Sequence, residues 1–197
     1  TVSLESIMMA IAIAAAERRH IATCDVTGAF LEAEMPAGED VFMSLDPAIT
    51  GMIAGLSDSA TRCVGTNGCL VVKLKRALYG CVQSSKLWFD KLCHVLRDIG
   101  FVANPYDDCV FNKAVDGEQI TVCFHVDDLL VTCRSDDVIK QFESDLKKRF
   151  SEVTFTHGIE HSFLSMNITV GDNTLSVSMQ GYVDKILGER AKLIGAN

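Results

Sequence analysis

The feature that most constrains this chain is the run Phe124-His125-Val126-Asp127-Asp128-Leu129-Leu130, where two adjacent acids interrupt an apolar stretch. Ionised carboxylates are too costly to bury uncompensated. The flanks, Ile120 to His125 and Leu129 to Cys133, read as strands of a buried sheet. The acids must then lie at the tip of a hairpin around Val126-Asp127-Asp128, or bind a cation. Asp is a common turn former, so the pattern alone favours a plain turn.

Asp25 shifts that balance. It ends another apolar strand, Ile21 to Val26, and has two readings. It can cap a helix over 26–32, or, if the two strands are neighbours, converge with Asp127 on one site. Oxygen ligands on rigid adjacent strands suit Mg²⁺, which takes a few carboxylates plus substrate phosphates, and paired metals clamp an in-line phosphoryl displacement. Other chemistries have less support. Ser, His and Asp are scattered without a nucleophile motif, and no glycine loop is followed by Lys-Ser/Thr. His157-Gly158-Ile159-Glu160-His161 is not H-E-x-x-H and reads as a solvent-facing loop, not a zinc site.

The remaining elements follow from caps and periodicity. Ser3 caps a helix through about Arg19, with Arg18, Arg19 and His20 at its carbonyl end. Residues 33–69, broken by Pro36, Pro47 and five glycines, read as turns and loop. Leu70 to Leu74 is a strand. Ser84 or Ser85 opens a helix through Arg97, with Leu87, Leu92, Val95 and Leu96 inward and Gly100 stopping it. Cys109 to Asn112 is a short strand, and Asp136 or Asp137 caps a helix to Phe150 that buries Val138, Phe142 and Leu146. Phe163 to Val170 and Leu175 to Met179 form a hairpin around Gly171-Asp172-Asn173, and Tyr182 to Ala191 is a closing helix. The expected class is α+β, a mainly antiparallel sheet with helices packed on one face.

Net charge is −8, which argues against a freestanding nucleic-acid-coating protein. The balance is uneven: residues 71–100 hold 6 basic against 2 acidic side chains, while the segments before and after are acidic. The eight cysteines form no C-x-x-C pair, and several sit in apolar runs, which points to free thiols in a reducing intracellular setting. The longest apolar run, Ile7 to Ala16, is ten residues and too short to span a bilayer, so no membrane partner is expected. A chain that does not open on Met also reads as part of something longer.

Four ordered motifs resemble the copia-type retrotransposon reverse transcriptase family. Cys24-Asp25-Val26-Thr27-Gly28-Ala29-Phe30-Leu31 resembles its D-V-x-x-A-F-L, with Val41-Phe42-Met43 where the family shows V-Y-M. The segment Leu74 to Phe89, centred on Leu78-Tyr79-Gly80, resembles its L-K-K-S-L-Y-G-L-K-Q-x-P-R-x-W-Y. His125-Val126-Asp127-Asp128 stands where the family has Y-V-D-D, and Phe163-Leu164-Ser165-Met166 and Gln180-Gly181-Tyr182-Val183 resemble F-L-G-I and Q-x-x-Y-I.

The resemblance implies a polymerase palm with a ferredoxin-like sheet plus part of the fingers over 1–197, cut from a polyprotein. It implies that Asp25 and Asp127 bind two Mg²⁺ ions (or Mn²⁺), with Asp128 as the neighbouring acid, for nucleotidyl transfer from a dNTP to a primer 3′-hydroxyl. Phe30 would be the steric gate against a 2′-hydroxyl, although a core Phe beside Leu31 would look the same. Gln83 would contact nucleotide or template, and His125 would lie near the primer end. Lys73, Lys75, Arg76 and Lys86 would meet phosphates, or form a solvated basic face. Implied partners are an RNA/DNA template-primer, dNTPs, and the integrase and RNase H regions of a parent polyprotein in a cytoplasmic virus-like particle with a nuclear stage. The sequence departs from the family pattern at His125 for Tyr, Ser84-Ser85-Lys86 for x-P-R, and Ser165 for Gly. His125, the acidic balance and the expectation of a fragment keep open a second reading, a weakly active or inactive nucleic-acid-binding remnant.

Overall fold

A computed structural model describes residues 1–56, 58–172 and 174–194. The chain divides into two compact units, Thr1–Ala29 with Phe89–Asn197, and Phe30–Trp88. In chain order the elements are α1 (Leu4–Glu17), β1 (His20–Val26), α2 (Ala29–Glu32), β2 (Phe42–Leu45), α3 (Pro47–Ala54), α4 (Asp58–Thr61), β3 (Leu70–Lys73) and α5 (Ser84–Asp98). Then come β4 (Val102–Asn104), β5 (Asp107–Val115), β6 (Glu118–His125), β7 (Asp128–Cys133), α6 (Asp136–Lys147), β8 (Val153–Thr156), β9 (Glu160–Phe163), β10 (Met166–Val170), β11 (Leu175–Ser178) and α7 (Gln180–Ile194). Among the described residues no helix is long and apolar enough to cross a membrane.

The first unit is built on a six-stranded sheet in the order β4-β5-β6-β7-β1-β8, antiparallel at every pairing. A three-stranded sheet, β11-β10-β9, follows. In β6 and β7 the residues from Ile120 to Phe124 and from Leu129 to Cys133 are all buried, so both faces of the sheet centre need cover. The expectation of helices on one face is therefore corrected. Ala10 and Ile13 of α1 line a crevice with Thr121 and Thr132, whereas Val138 and Phe142 of α6 line another with Ile120. Ile120 and Thr121 are successive strand residues, so those two crevices lie on opposite faces. Phe89 of α5 shares the α6 face through Phe124, at a ring distance of 5.9 Å.

Local chemistry explains most of the boundaries. The Ser3 hydroxyl accepts from the Ser6 N–H at 3.1 Å, and Arg18 closes α1 in a left-handed conformation. Gly100, at φ +92°, ends α5 with its N–H on the Arg97 carbonyl. Five cysteines are buried, and burial pushes the Cys123 thiol up to about 12, so it behaves as a small apolar side chain.

Several elements differ from expectation. β5 is longer than predicted and turns into β6 through Asp116-Gly117, both at positive φ, the Asp-Gly signature of a tight hairpin. The expected strand over 163–170 is cut by a turn at Leu164-Ser165, with φ +49° and +64°, so Ser165 takes a left-handed conformation where the resembled motif has glycine. β4 and β8 were not expected, although Val153-Thr154-Phe155-Thr156 alternates as an edge strand should. Ser135 occupies the cap position of α6, which buries Ile139 in place of Val138. Asn173, at the expected tip of the last hairpin, lies outside the described residues.

The second unit carries a two-stranded ribbon, β2–β3. Residues 33–69, expected as turns and loop, hold β2, α3 and α4. Pro47 sits at the start of α3, and the Asp46 carboxylate accepts from the N–H groups of Ala48 (2.8 Å) and Ile49 (3.1 Å), a cap that outweighs the glycines further along. Buried Thr50 ties this helix to the ribbon: its hydroxyl donates to the Leu45 carbonyl and accepts from the Leu70 N–H.

Candidate active site

Strand register assembles the acids. Asp25 of β1 stands opposite Asp128 of β7, and Asp128 stands opposite His125 of β6. On its other side Asp25 faces Thr154 of β8. Residues directly opposite in a ladder share a face, so His125, Asp128, Asp25 and Thr154 form one row across four strands. The Val26 N–H donates to the Asp127 carbonyl at 3.1 Å, which extends the β1–β7 pairing into the hairpin turn. The Thr27 hydroxyl donates to Asp25 Oδ2 at 3.3 Å.

The turn has two residues, Val126 and Asp127, and Asp128 already belongs to β7, so only one of the paired acids is at the tip. Val126 has φ +56°, a conformation that a β-branched residue adopts only under strain. Tight hairpins with positive φ at this first position normally place glycine there. The strain is worth about 1–3 kcal/mol, whereas glycine costs about 0.5–1 kcal/mol in backbone entropy. Val126→Gly is therefore expected to stabilise the fold by about 1 kcal/mol in a urea titration; a destabilised variant would show that no strain is stored.

Asp128 is half-buried. Burial raises its carboxyl above the usual carboxylate range, the charges of Asp127 and Asp25 raise it further, and His125 opposes them. An acid with a raised folded pKa binds protons more readily in the folded state, so ionising it costs stability as pH rises through that folded pKa. Asp128→Asn is thus expected to melt higher than the parent at neutral pH, with the gain fading as pH falls below the usual carboxylate range. A gain that is constant with pH would contradict this.

Among the described residues, no Lys or Arg is ion-paired with Asp25, Asp127 or Asp128, and no three His, Cys, Asp or Glu side chains are gathered into a metal cage. Mg²⁺ does not require such a cage, since it binds through one or two carboxylates and completes its shell with water and substrate phosphates. Hard oxygen donors with mutual repulsion and no protein cation between them are a donor set that fits such an ion.

The other expected site residues lie in the second unit. Phe30 is half-buried, with its ring 5.6 Å from that of Tyr79. Gln83 is half-buried just before α5, and Lys86 is exposed in its first turn. Lys73 is exposed and ion-paired with Asp40. Lys75 is exposed, and its carbonyl accepts from the Met35 N–H. Arg76 donates from its guanidinium to the Leu31 carbonyl at 3.0 Å. Lys73 and Arg76 are thus engaged within the unit. In the first unit, His157 is paired with Glu143 at 2.7 Å, but His161 is 4% exposed, which corrects the expectation that this whole segment is a solvent-facing loop. Thr27, Thr154 and the strained Val126 were not singled out by the sequence. Only Thr27, two residues from Asp25, carried a local signal.

The whole chain, residues 1–197, matches the family described as reverse transcriptase (RNA-dependent DNA polymerase). It is 28% identical over 97% of its length to the retrovirus-related Pol polyprotein from transposon RE1 of Arabidopsis thaliana, of which it covers 12%. It is 25% identical over 94% of its length to the retrovirus-related Pol polyprotein from transposon TNT 1-94 of Nicotiana tabacum, of which it covers 13%. To the transposon Ty1-DR1 Gag-Pol polyprotein of Saccharomyces cerevisiae it is 22% identical over 92% of its length, covering 8% of that protein. The chain therefore spans about an eighth or less of these relatives. Among solved structures, apo telomerase from Candida tropicalis aligns with 90% of this chain and 40% of its own at 10% identity and a TM-score of 0.45, a likeness too loose to argue from.

Proposed function

The chain belongs to the reverse transcriptase (RNA-dependent DNA polymerase) family, of the copia type found in retrotransposons, and from that membership we propose that it is the palm, with part of the fingers, of an RNA-directed DNA polymerase. The reaction joins the primer 3′-oxygen to the α-phosphorus of a dNTP, releases pyrophosphate and loses the hydroxyl proton. One observation carries this reading: Asp25 and Asp128 are direct cross-strand partners, with the Asp127 backbone held to Val26 beside them.

Asp25 and Asp127 would hold two Mg²⁺ ions, or Mn²⁺, with Asp128 as the third acid; such ions would supply a lowered pKa at the primer hydroxyl and charge neutralisation at the triphosphate and leaving group. Adjacent strands fix the carboxylates, and the Thr27 hydroxyl orients Asp25. His125, at the end of the same row, would meet the primer terminus. Phe30 would crowd a 2′-hydroxyl and so favour deoxynucleotides, and Gln83 would contact nucleotide or template. Lys73, Lys75, Arg76 and Lys86 would meet phosphates. The partners in this reading are a template-primer, dNTPs, and the integrase and RNase H regions of a parent polyprotein, inside a cytoplasmic virus-like particle with a nuclear stage.

The test is extension of a DNA primer on an RNA template by dNTPs, measured for the chain alone and within its parent polyprotein. Extension that requires a divalent cation and stops on chelation is expected. Salt-dependent template binding with no extension in either form would replace this reading with the nucleic-acid-binding remnant.

A further inference from the structure

α1 is apolar all the way round. Its inner face, Ile7, Ala10, Ile11 and Ala14, is buried. Its outer face presents Leu4, Met8, Met9, Ala12, Ala15 and Ala16, all exposed, and the three large side chains are between 44% and 63% exposed. Between Leu4 and Ala16 the only charged residue is Glu5. A surface helix normally turns a charged face to water, and one that is hydrophobic all round is normally covered on both sides.

The patch continues beyond the helix. Met9 and Ile13 line a groove of about 350 Å³ together with Tyr106 and Val110, and Tyr106 is 96% exposed. Contiguous exposed apolar surface marks an interaction site, and tyrosine is among the residues that most often anchor a protein interface.

The residues on the outer face also specify what covers it. Size is graded along the helix: Leu4, Met8 and Met9 make the N-terminal half bulky, whereas Ala12, Ala15 and Ala16 keep the C-terminal half small. Charge is graded too, with Glu5 in the first turn and Arg18 just past the last. Among the described residues neither is ion-paired. A second α1 laid antiparallel, with the two-fold axis at Ala12, complements both gradients. Met8 then meets Ala16 of the second copy, Met9 meets Ala15, and Glu5 reaches Arg18, each contact occurring twice by symmetry. Large side chains facing small ones let two helices interdigitate closely. A lipid surface fits less well, because helices that lie in a membrane interface are rich in Lys and Arg.

We propose that this face is a homodimer interface, in which α1 packs antiparallel about Ala12 against α1 of a second copy of this chain. The proposal does not rest on the polymerase reading, because its test reads association alone. One helix face falls at or below the roughly 800 Å² per partner of a standard interface, so a dissociation constant on the order of 10 µM is expected. Sedimentation equilibrium on the chain from about 1 to 300 µM brackets that value. Ala12→Glu, at an exposed position, sets two carboxylates against each other at the axis and is expected to leave the chain monomeric throughout, with its melting temperature at the lowest concentration unchanged. Glu5→Arg and Arg18→Glu are each expected to weaken the dimer about 5- to 10-fold, since each acts at two symmetry-related pairs. The double variant is expected to restore it. A monomer at every concentration, a dimer that Ala12→Glu leaves intact, or single variants that the double does not rescue would overturn the proposal. Co-sedimentation of a monomeric chain with phosphatidylserine-containing vesicles would overturn it as well, and would assign the face to lipid.

Discussion

Asp127→Asn is expected to reduce primer extension by at least about 10²- to 10³-fold, the scale of losing a preorganised charge at a phosphoryl-transfer site. The change is close to isosteric and spares the fold, since the structural contact of Asp127 is made by its backbone carbonyl, which accepts from Val26 N–H. Asp25→Asn is expected to behave alike, although Asp25 is about 100 residues away in sequence, because the two belong to neighbouring positions of one ladder. Melting temperatures measured on the same preparations separate lost chemistry from lost fold. Extension within a few-fold of the parent would remove Asp127 from the reaction.

The largest effect on stability is expected at Phe142. This α6 residue is 4% exposed, with its ring 5.2 Å from Phe101 and 6.1 Å from Phe155. It therefore joins the chain entering β4, at one edge of the six-stranded sheet, to β8 at the other. Truncating a buried phenylalanine costs about 3–5 kcal/mol, a large fraction of the 5–15 kcal/mol by which a typical domain is folded. Phe142→Ala is expected to lower the urea midpoint accordingly or to leave the first unit unfolded. A loss below about 1 kcal/mol would mean that α6 is not integral to the core.

Two consequences of the acid row pull in opposite directions. Neutralising Asp128 is expected to raise stability at neutral pH, while neutralising Asp127 is expected to remove activity. Strain at Val126 has the same character, since a glycine there would relax the turn. Sites that concentrate like charge and backbone strain are maintained at the expense of stability, and the packed strands on either side offset it.

Much of this was legible in the sequence. Ser3 announced α1, the apolar runs on either side of Asp127-Asp128 announced β6 and β7, and the spacing of Phe142 and Leu146 announced the inward face of α6. Each is a local signal, written within a few residues. Further signals were also local: Asp46-Pro47 at the start of α3, Asp116-Gly117 between β5 and β6, and the alternation of β8.

The sequence alone determined that two adjacent carboxylates in an apolar hairpin had to lie at a turn or bind a cation, because burying them uncompensated would cost too much. It left open whether they made a plain turn or a site. Only the tertiary structure brings the distant acid to them, by placing β1 beside β7 so that Asp25 stands opposite Asp128; among the described residues neither is ion-paired with a Lys or Arg. It also split the acid pair, with Asp127 in the turn and Asp128 on the strand, and put Val126 in a conformation that its side chain resists. Strand order and register are long-range properties, set by which faces bury one another, and residues about 100 apart carry no local record of them.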